Sequence, residues 1–231
     1  MHRKPFYFLI LTAFLVSSCK NNEIGNSDDV NPETIFFDYQ VKGEEGNENV
    51  TVLLQFRFAG ENGTTLTLNE PATVQLDGEK IIGDSSKLTG AFYEIQKPVS
   101  NFSGRHSIVF INADKKQYKE DFSFHPFYLK SPVPSTVQRG DLEFELEGLE
   151  PEDYISVLLT DTSYTGDGIN RVDTVRNGKL IITRQELQNL SSGPIQMQLI
   201  KEIDKPVKNG TKEGGRLQIS YGLKREFFLI D

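Results

Sequence analysis

Apolar and polar residues alternate along most of the chain after residue 34. Val50, Val52, Leu54, Phe56 and Phe58 share one phase of the alternation, while polar residues such as those at 51, 55 and 57 occupy the other. Successive side chains of a strand point to opposite faces, so this period of two predicts a half-buried β-strand. The same pattern predicts further strands within residues 35–41, 72–76, 91–96, 106–112, 118–124, 142–147, 154–160, 179–183, 195–200, 216–221 and 225–230.

Turn-forming dipeptides separate many of these predicted strands. Asn-Gly and Asp-Gly readily adopt the positive φ angles of two-residue hairpins, and the chain lacks the longer helices that would connect parallel strands. We therefore predict an all-β fold of antiparallel sandwiches. The dipeptides are Asn62-Gly63, Asp77-Gly78, Asn177-Gly178 and Asn209-Gly210.

One short helix is predicted after residue 183. Thr183 and Glu186 have the spacing of a capping box, in which each side chain binds the other residue's main-chain N–H. Leu187 and Leu190 follow at helical spacing, and Gly193-Pro194 ends the pattern. The signal predicts one or two helical turns between sheets.

Prolines suggest where the chain divides. Pro126, Pro132 and Pro134 interrupt the alternation, because proline cannot donate a hydrogen bond to a neighbouring strand. We therefore predict two immunoglobulin-like β-sandwich domains in tandem, at residues 34–127 and 139–231, joined by a linker at 128–138. Each block has the usual size of such a sandwich, about 100 residues.

The first residues form a targeting segment. Arg3 and Lys4 precede an apolar run at residues 6–16, which is shorter than the roughly 20 residues of a membrane-spanning helix. The run ends in Val16-Ser17-Ser18-Cys19, and Cys19 is the single cysteine of the chain. This arrangement resembles the lipobox of bacterial lipoprotein precursors. The resemblance implies cleavage by signal peptidase II between Ser18 and Cys19, and acyl chains (palmitate among them) anchored at Cys19.

Residues 19–33 are polar and lack apolar periodicity, so we expect a lipidated cysteine followed by a flexible tether after the signal peptide at 1–18. The tether and composition resemble Bacteroidota lipoproteins, which carry divergent Ig-like or fibronectin-III-like modules. That resemblance implies residence in the cell envelope, at the outer membrane. The sequence does not decide between the periplasmic and the surface-exposed side.

Composition and motifs argue against several function classes. The 231 residues carry 25 Lys+Arg and 33 Asp+Glu, a formal net charge of −8, which disfavours binding to nucleic acid. One cysteine excludes an intrachain disulfide and any site of several cysteines. The chain contains no G-x-S-x-G, P-loop, H-E-x-x-H or G-x-G-x-x-G motif. We expect neither enzymatic activity nor a cofactor or metal, and we interpret His106 and His125 as solvent-facing edge residues.

Residues 161–173 form the longest polar interruption of the second block. Tyr164, Asp167 and Asn170 are our candidates for contact with a partner, because loops carry much of protein recognition. A calcium site built from the three aspartates of this segment is an alternative, although the segment lacks EF-hand spacing. Asp173-Thr174-Val175 also resembles the O-glycosylation motif of Bacteroidota secreted proteins, which makes Thr174 a candidate site.

The sequence thus predicts a membrane-anchored envelope lipoprotein that acts as a non-catalytic binding or scaffolding module. Its anchor is the set of acyl chains on Cys19, and its partner is an unidentified envelope protein or glycan. Two alternatives remain open: a fimbrial subunit or adhesin precursor, and an accessory glycan-binding protein of a polysaccharide-uptake system.

Overall fold

A computed structural model describes residues 23–150, 153–162, 168–175 and 177–231. Strands dominate it, so the predicted all-β class is confirmed. The strands before residue 125 are β1 Ile24–Asn26, β2 Ile35–Glu44, β3 Asn49–Phe58, β4 Thr64–Thr67, β5 Thr73–Leu76, β6 Glu79–Lys80, β7 Gly83–Ser86, β8 Gly90–Pro98, β9 Gly104–Ile111 and β10 Gln117–Phe124. The later strands are β11 Tyr128–Leu129, β12 Thr136–Gln138, β13 Leu142–Glu147, β14 Tyr154–Asp161, β15 Ile169–Thr174, β16 Lys179–Ile182, β17 Gly193–Thr211 and β18 Gly214–Ile230.

Helical structure is confined to short pieces. The single α-helix of the described residues, α1 Arg184–Leu187, has the predicted capping box: Thr183 accepts from the Glu186 N–H, and the Glu186 side chain accepts from the Thr183 N–H. The helix prediction is therefore confirmed. Three 3-10 turns complete the set, at Ser27–Asp29, Pro32–Thr34 and Val99–Asn101.

The strands form one large sheet and two small ones. The large sheet has the order β1-β4-β3-β2-β18-β17-β14-β15, with β7, β8 and β12 attached at its sides. The first small sheet, β10-β9-β5-β6, packs on the first half of the large sheet, and we call this sandwich the first lobe. The second small sheet, β11-β13-β16, belongs to the second lobe, built on β14, β15 and the base of β17 and β18.

A long hairpin, β17–β18, runs through both lobes. At its base, Ile155 of β14 lies opposite Lys201 of β17, in the second lobe. Further along, β18 pairs in parallel with β2, from Gly215 opposite Phe37 to Gly222 opposite Glu44. The predicted boundary at 128–138 assigns this hairpin to residues 139–231 alone, whereas the structure pairs its outer half with the first lobe. Alternation predicts strands but does not predict their partners, which explains the difference.

The predicted tether also differs from the structure. Residues 23–33 lie against the first lobe: β1 pairs in parallel with β4, the Glu23 carbonyl accepts the Thr65 N–H at 3.2 Å, and Ser27 is buried. The Ser27 hydroxyl accepts the Asn69 N–H at 3.2 Å. These side-chain and main-chain bonds order a polar segment that has no apolar period. Residues 19–22 lie outside the described residues.

An aromatic cluster fills the first lobe. Phe37 of the large sheet contacts Phe56 in the same sheet and Phe110 and Tyr118 in the first small sheet, with ring centroids 5.2–5.6 Å apart. Edge-to-face pairs of this kind contribute about 0.5–1.5 kcal/mol each beyond burial of their area. The cluster is therefore the main apolar link between the two layers of the sandwich.

Tyr221 of β18 connects the two lobes. Its ring meets Phe124, Phe127 and Tyr128 edge-on, with centroids 5.8–6.4 Å apart. Gly43 makes room for this packing, because an added Cβ would lie 2.8 Å from Phe124 Cζ and 2.9 Å from Tyr221 Cδ2. The buried side chains consequently form one hydrophobic cluster that extends through both lobes.

An ion pair fastens the hairpin to the first lobe on the outer face of the large sheet. Asp38 is only 2% exposed, and its two carboxylate oxygens lie 2.9 and 3.3 Å from the Arg216 guanidinium. Arg57 Nε lies 3.6 Å from the same carboxylate. The Asp38 carboxylate raises the pKa of Arg216, against the opposing effect of burial. Since Asp38 and Arg216 are directly opposite in β2 and β18, the pair reinforces their register.

Candidate functional site

A groove opens along one side of the first lobe, between β10 and the hairpin β17–β18. Its volume is about 630 Å³. Ile203 of the hairpin is only half-buried where it meets the groove. The groove is lined by Asp77, Arg105, His106, Ser107, Lys119, Asp121, Phe122, Ser123, Ile203, Lys205 and Ile219.

One wall of the groove is the free edge of β10. The Asn112 N–H donates to the Lys116 carbonyl at 3.0 Å, so Lys116 is a hydrogen-bonded position of the β9–β10 pair. In an antiparallel pair such positions alternate, so every second residue after Lys116 also bonds to β9 through its main chain. The intervening residues Lys119, Asp121 and Ser123 therefore direct their main-chain groups away from β9. Among the described residues, no main-chain partner meets Asp121 or Ser123 on that side.

The opposite wall is the inner face of the hairpin. Ile203 and Ile219 are directly opposite each other in β17 and β18. β14 pairs with β17 only up to Lys201, so beyond that residue β17 is the edge of the large sheet within the described part of the chain. Pro206 continues this edge, a position where the missing N–H of proline is tolerated.

The tip of the hairpin closes one end of the groove. Asn209 Nδ2 donates to the Lys119 carbonyl at 2.9 Å, and the Lys208 N–H donates to Glu120 Oε2 at 2.8 Å. Glu120 is 2% exposed, and its other oxygen lies 4.0 Å from Lys205 Nζ. Burial, and then the charge of Glu120, raise the pKa of Tyr39 well above its ordinary value. The carboxylate is thus a fixed anchor for the hairpin tip.

The other end continues into a smaller cavity of about 130 Å³ at the junction of the lobes. The two openings share Ser123, Ile203 and Ile219. A buried ion pair between Lys201 and Asp153 forms part of its wall. The groove and the cavity therefore follow β10 from the hairpin tip to the lobe junction.

His106 lies at the rim of the groove, but it has no free ring nitrogen. Its ring stacks on Phe102, with centroids 3.8 Å apart, and its side chain is only 9% exposed. Nδ1 lies 2.8 Å from Asp77 Oδ2, and Nε2 lies 3.1 Å from the Phe102 carbonyl. The interpretation of His106 as solvent-facing is wrong, because the ring is enclosed between Phe102 and Phe122.

The charges lining the groove are unlike those of the whole chain. Lys119 forms a 2.9 Å ion pair with Asp121, and Asp77 is occupied by His106 and the Ser107 N–H. Arg105 is exposed, and no partner for it occurs in the described part of the chain. Lys119 and Lys205 each have a carboxylate within 4.0 Å, that of Asp121 and that of Glu120, so Arg105 is the lining cation without one, in a chain whose net charge is −8.

The candidate partner-contact residues lie away from this groove. Tyr164 and Asp167 fall outside the described residues, so their contact role stays a prediction. Asn170 lies in β15, on the outer face of the large sheet, opposite Leu158. That face also carries a polar cleft of about 340 Å³, lined by Lys42, Glu44, Asn47, Asn49, Thr51, Gln198, Ile200, Ser220, Gly222 and Lys224 among others.

Three further sequence-predicted sites have different outcomes. Thr174 ends β15 opposite Tyr154 and is half-buried, and its glycosylation stays a prediction. Ser18 and Cys19 fall outside the described residues. Asp161 and Asp173 belong to β14 and β15, and the Asp161 carboxylate accepts the Ser191 N–H at 2.6 Å. Within the described residues, no group of three or more His, Cys, Asp or Glu side chains is placed to hold a metal ion.

The groove itself is absent from the sequence-level prediction. Its residues come from strands far apart in the chain, and they meet only because the hairpin crosses into the first lobe. Pro206, inside a strand-like run, is the signal that could have indicated an open edge at this point. In the part of the chain that the structure describes, no helix has the length and apolar character needed to cross a membrane.

Comparisons with known proteins give only distant similarities. No family model matches the chain, and no curated protein matches it. Solved structures include DIP-gamma IG1+IG2, with 11% identity, 81% of this chain and 94% of that chain covered, and a TM-score of 0.24. The fibronectin(III)-like modules of Clostridium thermocellum CbhA have 10% identity, coverage of 79% and 88%, and a TM-score of 0.22.

A third similar structure is Bacteroides ovatus mixed-linkage glucan utilization locus SGBP-B in complex with a mixed-linkage heptasaccharide. It has 12% identity, coverage of 90% of this chain and 65% of that chain, and a TM-score of 0.19.

Proposed function

We propose that this chain is a non-catalytic binding module of the cell envelope that holds a partner in the groove between β10 and the hairpin. The observation that carries the proposal is the open edge of β10 beside the half-buried Ile203. Asp121 and Ser123 present main-chain donors and acceptors there, and the apolar floor behind them would gain from being covered. An open edge of this kind is a template for pairing with another chain.

The lipobox supports anchoring of the module through acyl chains on Cys19. Two or more acyl chains hold a protein firmly on a membrane, since each buried CH₂ contributes about 0.8 kcal/mol. The first strand of the described residues, β1, directly follows Glu23. Four residues extend at most about 14 Å, so a lipidated Cys19 would hold the first lobe, with its groove, close to the membrane. The resemblance to Bacteroidota lipoproteins favours the outer membrane as that membrane.

Site-specific photocrosslinking in cells tests the binding role. A photoreactive amino acid replacing Ile203 would lie in the groove, whereas the same replacement at Gln96, which is exposed on the outer face of β8, is the control. We expect a discrete adduct from position 203 that position 96 does not give. Identical adduct patterns from both positions, or none from 203, would contradict a partner in the groove.

The anchor is tested separately with Cys19→Ala. We expect this variant to accumulate as an unprocessed precursor that takes up no label from palmitate analogues. Cleavage and labelling at the level of the unmodified chain would refute lipidation at Cys19. Because the Cys19→Ala variant leaves the groove residues unchanged, its outcome is independent of the crosslinking result.

A further inference from the structure

The arrangement of main-chain groups in the groove indicates the chemistry of its occupant. We propose that the groove takes an extended, acidic polypeptide segment of a partner protein, which pairs with β10 as an added strand of the first small sheet. This inference rests on the proposed binding function and specifies its partner. Three observations carry it: the free edge of β10, the half-buried Ile203 of the hairpin, and the exposed, unpaired cation Arg105.

The free edge of β10 presents a repeating pattern of donors and acceptors. Asp121 and Ser123 each direct one N–H and one C=O outward, and Lys119 directs its carbonyl to the Asn209 amide. Two residues along a strand span about 6.6 Å, the repeat of main-chain groups in a neighbouring strand. An added strand satisfies such a row with its own main chain, which is how extended peptides join exposed sheet edges.

Ile203 of the hairpin gives the added strand a half-buried apolar side chain to cover. A strand next to β10 lies about 4.8 Å away, which places it over the inner face of the hairpin. Its alternate side chains would meet Ile203, which is half-buried in the free chain; Ile219, opposite it, is already only 6% exposed. Apolar residues at every second position therefore fit the segment.

The ends of the groove limit the length of the segment. The hairpin tip at Asn209 closes the site beside Lys119, and β10 ends at Phe124, before Pro126. Residues 119–124 span about 20 Å at about 3.3 Å per residue. A segment of about six residues fills that distance.

The charge of the lining selects between acidic and basic segments. Arg105 lies across from Ser123 in the first small sheet, exposed and without a partner in the described residues. The carboxylates in the lining are already engaged, Asp77 by His106 and Asp121 by Lys119. Acidic residues between the apolar ones consequently complement the site.

A peptide-binding experiment tests the inference with the lipidated chain purified in detergent. The labelled peptide Thr-Val-Asp-Val-Glu-Ile-Thr combines alternate apolar residues with two acidic ones. The same peptide with N-methylated amides at alternate residues cannot pair as a strand on that edge, and a peptide with Lys in place of Asp and Glu reverses the charge. We expect the first peptide to bind and each control peptide to bind at least about tenfold more weakly.

Two variants of one residue separate main-chain pairing from side-chain contact. Ser123→Pro removes the outward N–H without removing a bond to β9, whereas Ser123→Ala removes only the hydroxyl. We expect Ser123→Pro to weaken binding about tenfold and Ser123→Ala to change it less than twofold, with melting temperature as the check on folding. If Ser123→Pro does not fold, the N-methylated peptide still distinguishes main-chain pairing from side-chain contact.

The outcomes distinguish this inference from the proposed function. Failure of the acidic peptide to bind, equal binding of the N-methylated peptide, or equal effects of the two Ser123 variants would overturn strand addition. A groove-specific adduct at position 203 would leave the binding function standing in that case. An adduct with a glycan, or with a second copy of this chain, would also overturn the polypeptide partner proposed here.

Discussion

The side-chain amide of Asn209 lies 2.9 Å from the main-chain carbonyl of Lys119, to which it donates a hydrogen bond. Through this contact the tip of the hairpin takes the position that a neighbouring strand would occupy on β10. The hairpin tip takes the place of a neighbouring strand at this one residue only, because the hairpin diverges from β10 at Asp121 and Ser123. The groove is the space that this divergence leaves.

Gly43 provides a test of the packing at the lobe junction. A Cβ at this position would lie 2.8 Å from Phe124 and 2.9 Å from Tyr221, and neither buried ring can move freely. We expect Gly43→Ala to lower the free energy of unfolding by about 1–3 kcal/mol, as overpacking does. The measurement is urea denaturation monitored by circular dichroism.

Gly222→Ala is the matched control for that variant, on the neighbouring strand. Its added Cβ would meet nothing closer than 3.7 Å, and its φ is not positive. We expect a change of less than about 0.5 kcal/mol. Equal losses for the two variants would show that Gly43 is not required by the junction.

The shared hairpin predicts that the two lobes unfold together. Residues 28–128 lack β18, the neighbour of β2, and residues 136–231 expose Leu217 and Ile219, which the first lobe buries. We expect the full chain to show one cooperative transition by calorimetry and neither fragment to show one. Separate cooperative transitions of both fragments would instead support the independent tandem domains that the sequence suggests.

Tyr221 predicts how stability depends on alkaline pH. Burial raises the pKa of Tyr221 to about 12, and Tyr128 and Glu45 add to the effect. Tyrosine in an unfolded chain titrates near pH 10. The pKa of Tyr221 is higher in the folded chain than in the unfolded one. The neutral side chain therefore makes its full contribution to folding stability below about pH 10, and that contribution is lost as the pH rises through about 12.

Tyr221→Phe should therefore move the midpoint of alkaline unfolding to higher pH. The ring contacts are kept, and the hydroxyl has no hydrogen-bond partner among the described residues, so we expect little change in stability at pH 7. Tyr154→Phe is the control, since Tyr154 is 62% exposed. A midpoint that shifts equally in both variants would contradict the role of the buried hydroxyl.

Local patterns in the sequence predict the elements of this fold well. The buried side chains of β3 include Val50, Val52, Leu54 and Phe56, which alternation alone indicates. Asp77-Gly78 and Asn177-Gly178 adopt positive φ at both residues, as a tight hairpin turn requires. Period, turn type and capping box all depend on residues close together in the chain, and a sequence displays such relationships directly.

Long-range pairing could not be predicted in the same way. Asn209-Gly210 suggests a turn, yet the hairpin turns at Lys212 and Glu213. The register of β17 with β18 shifts between Pro206 and Thr211, and this shift accommodates the unpaired residues of β17, Asn209 and Gly210 among them. The parallel pairing of β18 with β2 joins residues 178 positions apart, such as Asp38 and Arg216. No local pattern specifies it, and the groove, which depends on that pairing, stayed unpredicted for the same reason.

Amide hydrogen exchange of the folded chain, measured by NMR residue by residue, tests the open edge of β10 most directly. We predict slow exchange at Glu120 and Phe122, whose N–H groups bond to β9, and fast exchange at Asp121 and Ser123, whose N–H groups face the groove. Addition of the acidic peptide should then protect Asp121 and Ser123 alone. Equally slow exchange at all four residues of the free chain would contradict an open edge, and with it the groove as a binding site.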